Sequence, residues 1–171
     1  VFGCDSHREK ALDAARQSIT LLQNRDKFLP FNAANIVPPN RSRSSGSGLP
    51  RLAVIGLACE SVPLMAGGWT VHWQGTDNRS AFPYGVTIFE ALTERMAGSG
   101  VDVTYNAGCN VTENSSCDPR LLRDAVDSAL MADRVVLCLG ERHYAEKPGD
   151  IDDLTLPGQQ IQMVEAIAQV N

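Results

Sequence analysis

The 171-residue chain contains no run of eighteen apolar residues, so no segment reads as a membrane-spanning helix. It also lacks any cluster of Lys and Arg with interleaved aromatics. Its 15 basic residues are outnumbered by 20 acidic ones, for a formal net charge of −5, and phosphate neutralisation needs concentrated positive charge; a nucleic-acid partner is excluded. The GxGxxG pattern of a dinucleotide site is missing where it would be needed, because the first apolar strand, Leu52 to Ile55, runs through Gly56 into Leu57-Ala58-Cys59-Glu60. The five cysteines, Cys4, Cys59, Cys109, Cys117 and Cys138, have neither CxxC spacing nor a nearby histidine pair, which argues against zinc. No signal peptide is present and the chain opens on Val1 rather than Met, from which an upstream part is expected.

What remains is the composition of one ordinary globular domain, with features that point to an oxidising compartment. Cys109 and Cys117 flank a polar loop and can close a small disulfide ring where thiols are oxidised. Four sequons, at Asn40, Asn78, Asn110 and Asn114, exceed the one or so that chance would supply. Secretion or an extracellular location is the expectation, with the loop from Cys109 to Cys117 exposed, oxidised and glycosylated.

Ser6 and Glu9 have capping-box spacing, and Leu12, Ala15, Ile19 and Leu22 keep helical spacing behind them, which predicts a helix over 7–22. Phe28-Leu29-Pro30-Phe31 should be extended, because a proline pushes its predecessor out of the α region. Residues 38–50 turn to Pro, Asn, Arg, Ser and Gly, a composition too polar to order itself, and read as a flexible insertion. Three strand patterns come next, at 52–55, 101–105 and 134–139; the second alternates, and the third is apolar enough to be fully buried. Helices are expected over 86–97, from Asp118-Pro119 to about Met131, and from about Gly158. Strands alternating with helices imply an α/β fold: a three-layer sandwich around a mostly parallel sheet, with three strands too few for a complete one.

Chemistry concentrates in residues 140–150, Gly-Glu-Arg-His-Tyr-Ala-Glu-Lys-Pro-Gly-Asp, which leave the carboxyl end of the third strand, the edge where open α/β sheets bind ligands. Glu141 and Glu146 are the leading candidates. Glu141, at the strand end, is expected to orient the loop by accepting backbone hydrogen bonds. His143, Tyr144 and Lys147 are weaker candidates; with no Ser or Cys in a fixed relation, His143 forms no triad. Asp150 is read as bracing its own turn, and Asp152 and Asp153 as capping the next segment. The second candidate stretch is the loop Gly67-Gly68-Trp69-Thr70-Val71-His72-Trp73-Gln74-Gly75. Its two tryptophans are either core residues or flat apolar platforms for sugar rings, and its glycines suit a loop that reaches away from the core.

Those two stretches, with Thr87-Ile88-x-Glu90-Ala91, Asp153-Leu154-x-Leu156-Pro157 and Gln160, resemble the second domain of family 3 glycoside hydrolases, the β-glucosidases and exo-β-glucanases. The likeness runs from about Ala14 to the end. It implies that residues 1–37 are a connecting helix and linker from an upstream (β/α)₈ barrel. Residues 51–171 would be the α/β sandwich domain, truncated at its C-terminus. It further implies a retaining, exo-acting β-glucosidase acting on β-glucosides or β-glucans without metal or organic cofactor, its nucleophilic aspartate on the barrel and none in this chain. Glu146 would be the general acid/base and Trp73 a wall of the leaving-sugar site, with Trp69 assigned to loop packing and kept, with Glu141, as a further substrate-binding candidate. Retaining hydrolysis needs an acid that stays protonated, which enclosure beside aromatic surface favours. This chain alone is expected to be inactive. Two other readings remain open from the residues: a noncatalytic carbohydrate-binding or scaffold domain, and a flavodoxin-like ligand-binding domain.

Overall fold

The computed structural model describes residues 3–37, 48–111 and 117–171. Most of the expected insertion, and the sequons at Asn40 and Asn114, lie outside the described residues. The chain divides into two compact units, Val1–Phe31 and Asn32–Asn171. Among the described residues no helix is long and apolar enough to cross a membrane.

The first unit holds helix α1, Asp5–Ser18, and a short 3₁₀ turn, Arg25–Lys27. The expected capping box does not form, because the N-cap is Cys4 and makes no side-chain cap, which leaves Ser6 and Glu9 inside the helix. The helix also stops early: Ser18 turns its hydroxyl back onto the Ala15 carbonyl and Ile19 is extended. No residue of α1 is buried, and Leu12, Ile19 and Leu22 are exposed. A single helix and one turn offer too little surface to cover an apolar stripe. Phe28 is not extended either. Asn24 takes both amide groups of Leu29, donating to its carbonyl and accepting from its N–H at 2.8 Å each, Phe28 adopts the α conformation, and Leu29-Pro30 is a cis peptide.

The second unit is built on three parallel strands, β1 (Arg51–Ile55), β2 (Asp102–Asn106) and β3 (Arg134–Leu137), in the order β2-β1-β3. Val54 lies opposite Tyr105 of β2 and Val136 of β3, which sets the register. Between the strands run α2 (Val62–Ala66), α3 (Ile88–Met96) and α4 (Pro119–Met131), and α5 (Gly158–Ala168) comes after β3. The short α2, capped by Ser61 and opened by Pro63, was not expected.

Strand side chains alternate between faces, so Ala53 and Ile55 share one face and Val54 the other. Ala53 and Ile55 pack with Ala125 and Ala129 of α4 and Met163 and Ile167 of α5. On the opposite face Phe89 of α3 meets Tyr105, ring centroids 5.3 Å apart. Helices therefore cover both faces, as the α/β reading requires. Thr87 and Glu90 close a capping box at α3, and Asp118 caps α4 by accepting from the Arg120 N–H. Only central β1 is fully buried, from Leu52 to Ile55; β2 and β3 are half-buried throughout. The strand read from the alternation at 101–105 is β2, whereas the full burial expected of the third strand is not present, because β3 is an edge strand. Pairing also ends at Leu137 rather than Leu139.

Candidate functional site

In the order β2-β1-β3 the chain leaves β1 for one side of the sheet and later crosses to the other. The crevice at the carboxyl ends of β1 and β3 is therefore a topological switch point, the usual ligand position in open α/β sheets. Both candidate stretches arise there, one after β1 and one after β3.

The base of the crevice is covalent. Cys59, just past β1, and Cys138, just past β3, form a disulfide that the sequence does not announce, since Cys138 reads as an inert residue of a buried strand. Nothing local marks two cysteines 79 residues apart as partners. Gly56 is needed beside it: its φ is +113°, and a Cβ would lie 2.1 Å from the Cys138 carbonyl oxygen. The expected Cys109–Cys117 disulfide forms as well, at the end of β2. Both its cysteines are buried in the core cluster with Ile55 and Met163, and most of the loop they bracket, residues 112–116, lies outside the described residues. Asn110 beside it and Asn78 are exposed; the Asn78 carboxamide accepts from the Ser80 N–H and hydroxyl.

Two glutamines hold the loop 140–150 by its backbone, each gripping one residue by both amide groups. Gln160, fully buried on α5, accepts from the Gly140 N–H at 3.0 Å and donates to the Gly140 carbonyl at 2.6 Å. Gln74, in the tryptophan loop, accepts from the Ala145 N–H at 2.9 Å and donates to the Ala145 carbonyl at 3.1 Å. Gln74 directly follows Trp73, and Ala145 directly precedes Glu146, so this clamp joins the immediate neighbours of the two main candidates. Beyond it, the His143 ring reaches the Gln74 carbonyl and Asp77, and Arg142 reaches the other oxygen of Asp77. The hydrogen bond from His143 and the charge of Arg142 hold the Asp77 carboxyl below its ordinary pKa. His143 is thus a junction residue rather than a solvated one.

Two of the three glycines of the tryptophan loop, Gly68 and Gly75, serve this contact. A Cβ on Gly68 would stand 2.0 Å from the Tyr144 carbonyl oxygen, and one on Gly75 2.5 Å from the His143 ring. They let one loop press on the other, where the expectation was a loop reaching away from the core.

Trp69 and Trp73 are 69% and 53% exposed, so neither is a core residue. Their ring centroids lie 6.4 Å apart, the Trp69 N–H donates to the Trp73 carbonyl at 2.9 Å, and Trp69 has a φ of +58°. Two indole faces are thereby offered to solvent next to the docked loop. Glu146 is exposed at a φ of +55°, and its carbonyl accepts from the Gly149 N–H to close a 3₁₀ turn, Lys147–Gly149. Aromatic enclosure of Glu146 was expected, but the fold of this chain leaves the residue open.

Glu141 accepts from the Tyr144 hydroxyl at 2.6 Å, a side-chain partner where backbone donors were expected; the Tyr144 ring lies over Gly149. With Val111, Arg142, His143 and Pro148 these two line a cleft of about 250 Å³, which neither Glu146 nor Trp73 reaches. Lys147 is exposed at the start of the 3₁₀ turn. Asp150 closes that turn through its own N–H onto Lys147. Asp153 accepts from the N–H and hydroxyl of Thr155 rather than capping α5, whose N-cap is Pro157. Gln74, Asp77 and Arg142 as loop-joining residues were not read from the sequence. Gln74 and Gln160 stand inside recognised motifs, but no local pattern says what a glutamine will grip.

Residues 19–171 match the glycosyl hydrolase family 3 C-terminal domain. The chain is 32% identical over 164 residues to the lysosomal beta glucosidase of Dictyostelium discoideum, covering 94% of this chain and 18% of that protein. It is 33% identical over 173 residues to the exo-alpha-(1->6)-L-arabinopyranosidase of Bifidobacterium breve, covering 99% of this chain and 20% of that protein. The crystal structure of a Q683A mutant of an exo-1,3/1,4-beta-glucanase from a Pseudoalteromonas species superposes with a TM-score of 0.66 at 28% identity, over 98% of this chain and 22% of that one. The chain thus spans about a fifth of the length of the relatives it matches. With the α/β sheet, the two docked loops and a family match over nearly nine-tenths of its length, this chain belongs to glycosyl hydrolase family 3, as its C-terminal domain.

Proposed function

We propose that this domain works in a retaining, exo-acting β-glucosidase that removes terminal β-D-glucosyl residues from β-glucosides or β-glucans. The observation that carries the reading is the Gln74–Ala145 clamp, which ties the loop of an exposed carboxyl group, Glu146, to a loop offering two exposed indole faces. A glycosidase needs a carboxyl group at the leaving oxygen and apolar surface for the leaving sugar, whose C–H face packs on indole. In this reading Glu146 protonates the departing oxygen and later deprotonates the attacking water. Trp73 walls the leaving-sugar site, and Trp69 and Glu141 border it. A (β/α)₈ barrel of the same polypeptide supplies the nucleophilic aspartate and the glucose pocket, and the approach of that barrel encloses Glu146. Two disulfides and exposed Asn78 and Asn110 favour an oxidising, secretory location and a glycoprotein.

The test is Glu146→Ala in the complete enzyme. Turnover of substrates with poor leaving groups should fall on the order of 10²- to 10⁴-fold, and activated aryl glucosides much less, because an activated phenol departs without a proton. Azide should restore part of the activated-substrate rate. Trp73→Ala should chiefly raise KM for oligosaccharides. Equal slowing of good and poor leaving groups without azide rescue would move the role to Glu141, and unchanged kinetics would leave a noncatalytic carbohydrate-binding domain. Residues 1–171 alone should not hydrolyse an aryl β-glucoside, since retention requires a second carboxylate about 5 Å from the first; turnover by that preparation would refute the two-domain site.

A further inference from the structure

The tip of the tryptophan loop, residues 69–73, reverses the chain on a side chain ill suited to the turn. The His72 N–H donates to the Thr70 carbonyl at 2.8 Å, which closes a three-residue γ-turn, and Val71 at its centre has a φ of +67°. The Trp69 N–H crosses the same tip to the Trp73 carbonyl, and the Thr70 hydroxyl ties the base of the tip to the Ala66 carbonyl at 2.9 Å. Left-handed backbone is unfavourable for any residue with a Cβ and most unfavourable for a β-branched one, whose two γ carbons crowd the neighbouring peptide groups. The loop meets the same requirement with glycine at its two ends, Gly67 at +72° and Gly75 at +83°. At 69 and 71 it keeps a tryptophan and a valine. Burial does not offset the strain at Val71, which is 61% exposed. Trp69, Val71 and Trp73 thus set three exposed apolar side chains within five residues, a concentration that marks a contact surface rather than scattered surface hydrophobes.

We propose that Val71 is a specificity-determining residue: the strained turn holds its isopropyl group at the apex of the tip that joins the two indoles, where it makes a third apolar contact to the C–H face of the leaving pyranose. The assignment rests on the leaving-sugar role given to Trp73 above. A pyranose is apolar on its C–H faces and hydroxylated around its rim. Flat indoles and a branched alkyl group therefore recognise the face without a hydrogen bond, and they discriminate by the apolar area covered rather than by the pattern of hydroxyls. Such a contact favours leaving groups that bring a ring over the loop and does nothing for those that leave the tip bare. Turn and contact can be separated by substitution. Glycine at 71 relieves the strain and removes the contact together. Threonine keeps the β-branch, and with it the strain, but replaces one methyl by a hydroxyl that resists losing its water.

The test is the affinity of the full-length protein for thiocellobiose, a disaccharide whose sulfur linkage resists hydrolysis, measured by titration calorimetry. The comparison ligand is 1-deoxynojirimycin, a single ring that fills the glucose pocket and leaves the tip bare. Loss of the isopropyl contact should raise the thiocellobiose Kd about 3- to 10-fold in both Val71→Gly and Val71→Thr, with Val71→Ile close to the wild type. The 1-deoxynojirimycin Kd should move less than about twofold in all three, because that ligand gains no apolar area at the tip. Hydrogen exchange read by mass spectrometry controls for the fold: in Val71→Thr, protection of residues 67–77 and 140–150 should match the wild type. No binding of thiocellobiose by the wild type, an unchanged Kd in Val71→Gly, wild-type affinity in Val71→Thr, equal weakening of both ligands, or lost protection accompanying the lost affinity would each overturn the contact. If the Kd values respond as expected while Glu146→Ala leaves kinetics intact, the Val71 contact stands and the catalytic reading falls. If Glu146→Ala acts as expected while thiocellobiose affinity is indifferent to Val71, the reverse holds.

Discussion

The loop after β2 and the pair of loops after β1 and β3 leave the same edge of one sheet but are secured by different chemistry. The β2 loop is held from below, by a buried cystine, by the Cys109 N–H on the Met163 sulfur at 3.3 Å, and by Gln159 donating to the Asn110 carbonyl. The other two are tied covalently only at their roots, by Cys59–Cys138, and above that they meet through amides, an imidazole and an ion pair among exposed or half-exposed groups. The described residues of the β2 loop that are anchored in this way, Cys109, Asn110 and Cys117, cannot move without opening the core. Loops joined by polar contacts at the surface can separate at small cost, and they carry both substrate-facing candidates. Rigidity lies beneath the site, and adjustability lies in it.

The comparison can be broken at its covalent ends first. Cys59→Ala with Cys138→Ala should lower unfolding stability by about 4.5 kcal/mol, because the bridge spans 79 residues, whereas Cys109→Ala with Cys117→Ala, spanning 8, should cost about 2.5 kcal/mol, each plus whatever core packing is lost. Urea unfolding of the two double variants gives the order, and equal losses would mean that loop closure is not the governing term. Next in size is the loop contact itself. Gly75→Ala combines a φ of +83° with a Cβ 2.5 Å from the His143 ring and should cost about 1 to 3 kcal/mol, felt as weaker oligosaccharide binding and lost protection of residues 140–150 rather than as global melting. A lowered melting temperature with that protection intact would contradict it. Smallest is Thr87→Ala, which removes the α3 capping box and should cost about 1 kcal/mol with KM and kcat unchanged. A kinetic change from it would show that the framework is less separate from the site than the contacts indicate.

The amino-acid sequence by itself determined the elements whose signals are local. Asp118 and Pro119 start α4 because a carboxylate accepts a free N–H of the first turn and proline lacks one to waste, and the helical spacing carries it to Met131. The apolar run of β1 and the polar, Pro- and Gly-closed stretch after β3 place the candidate loops at the carboxyl edge from local pattern alone. The Thr87-x-x-Glu90 box is equally readable, although the helix was expected to begin at Val86. Where a local signal had no surface to act on, as in α1, the reading overran. Tertiary structure alone decided which loops meet and through which groups. Cys59 with Cys138, Gln74 with Ala145, Asp77 with His143 and Gln160 with Gly140 stand 79, 71, 66 and 20 residues apart. Helical and strand periodicity report which face of an element turns inward, and they carry no information about which distant backbone will lie opposite. The parallel register of β3 on β1 brings the first three pairs within reach, and the packing of α5 brings Gln160 to Gly140.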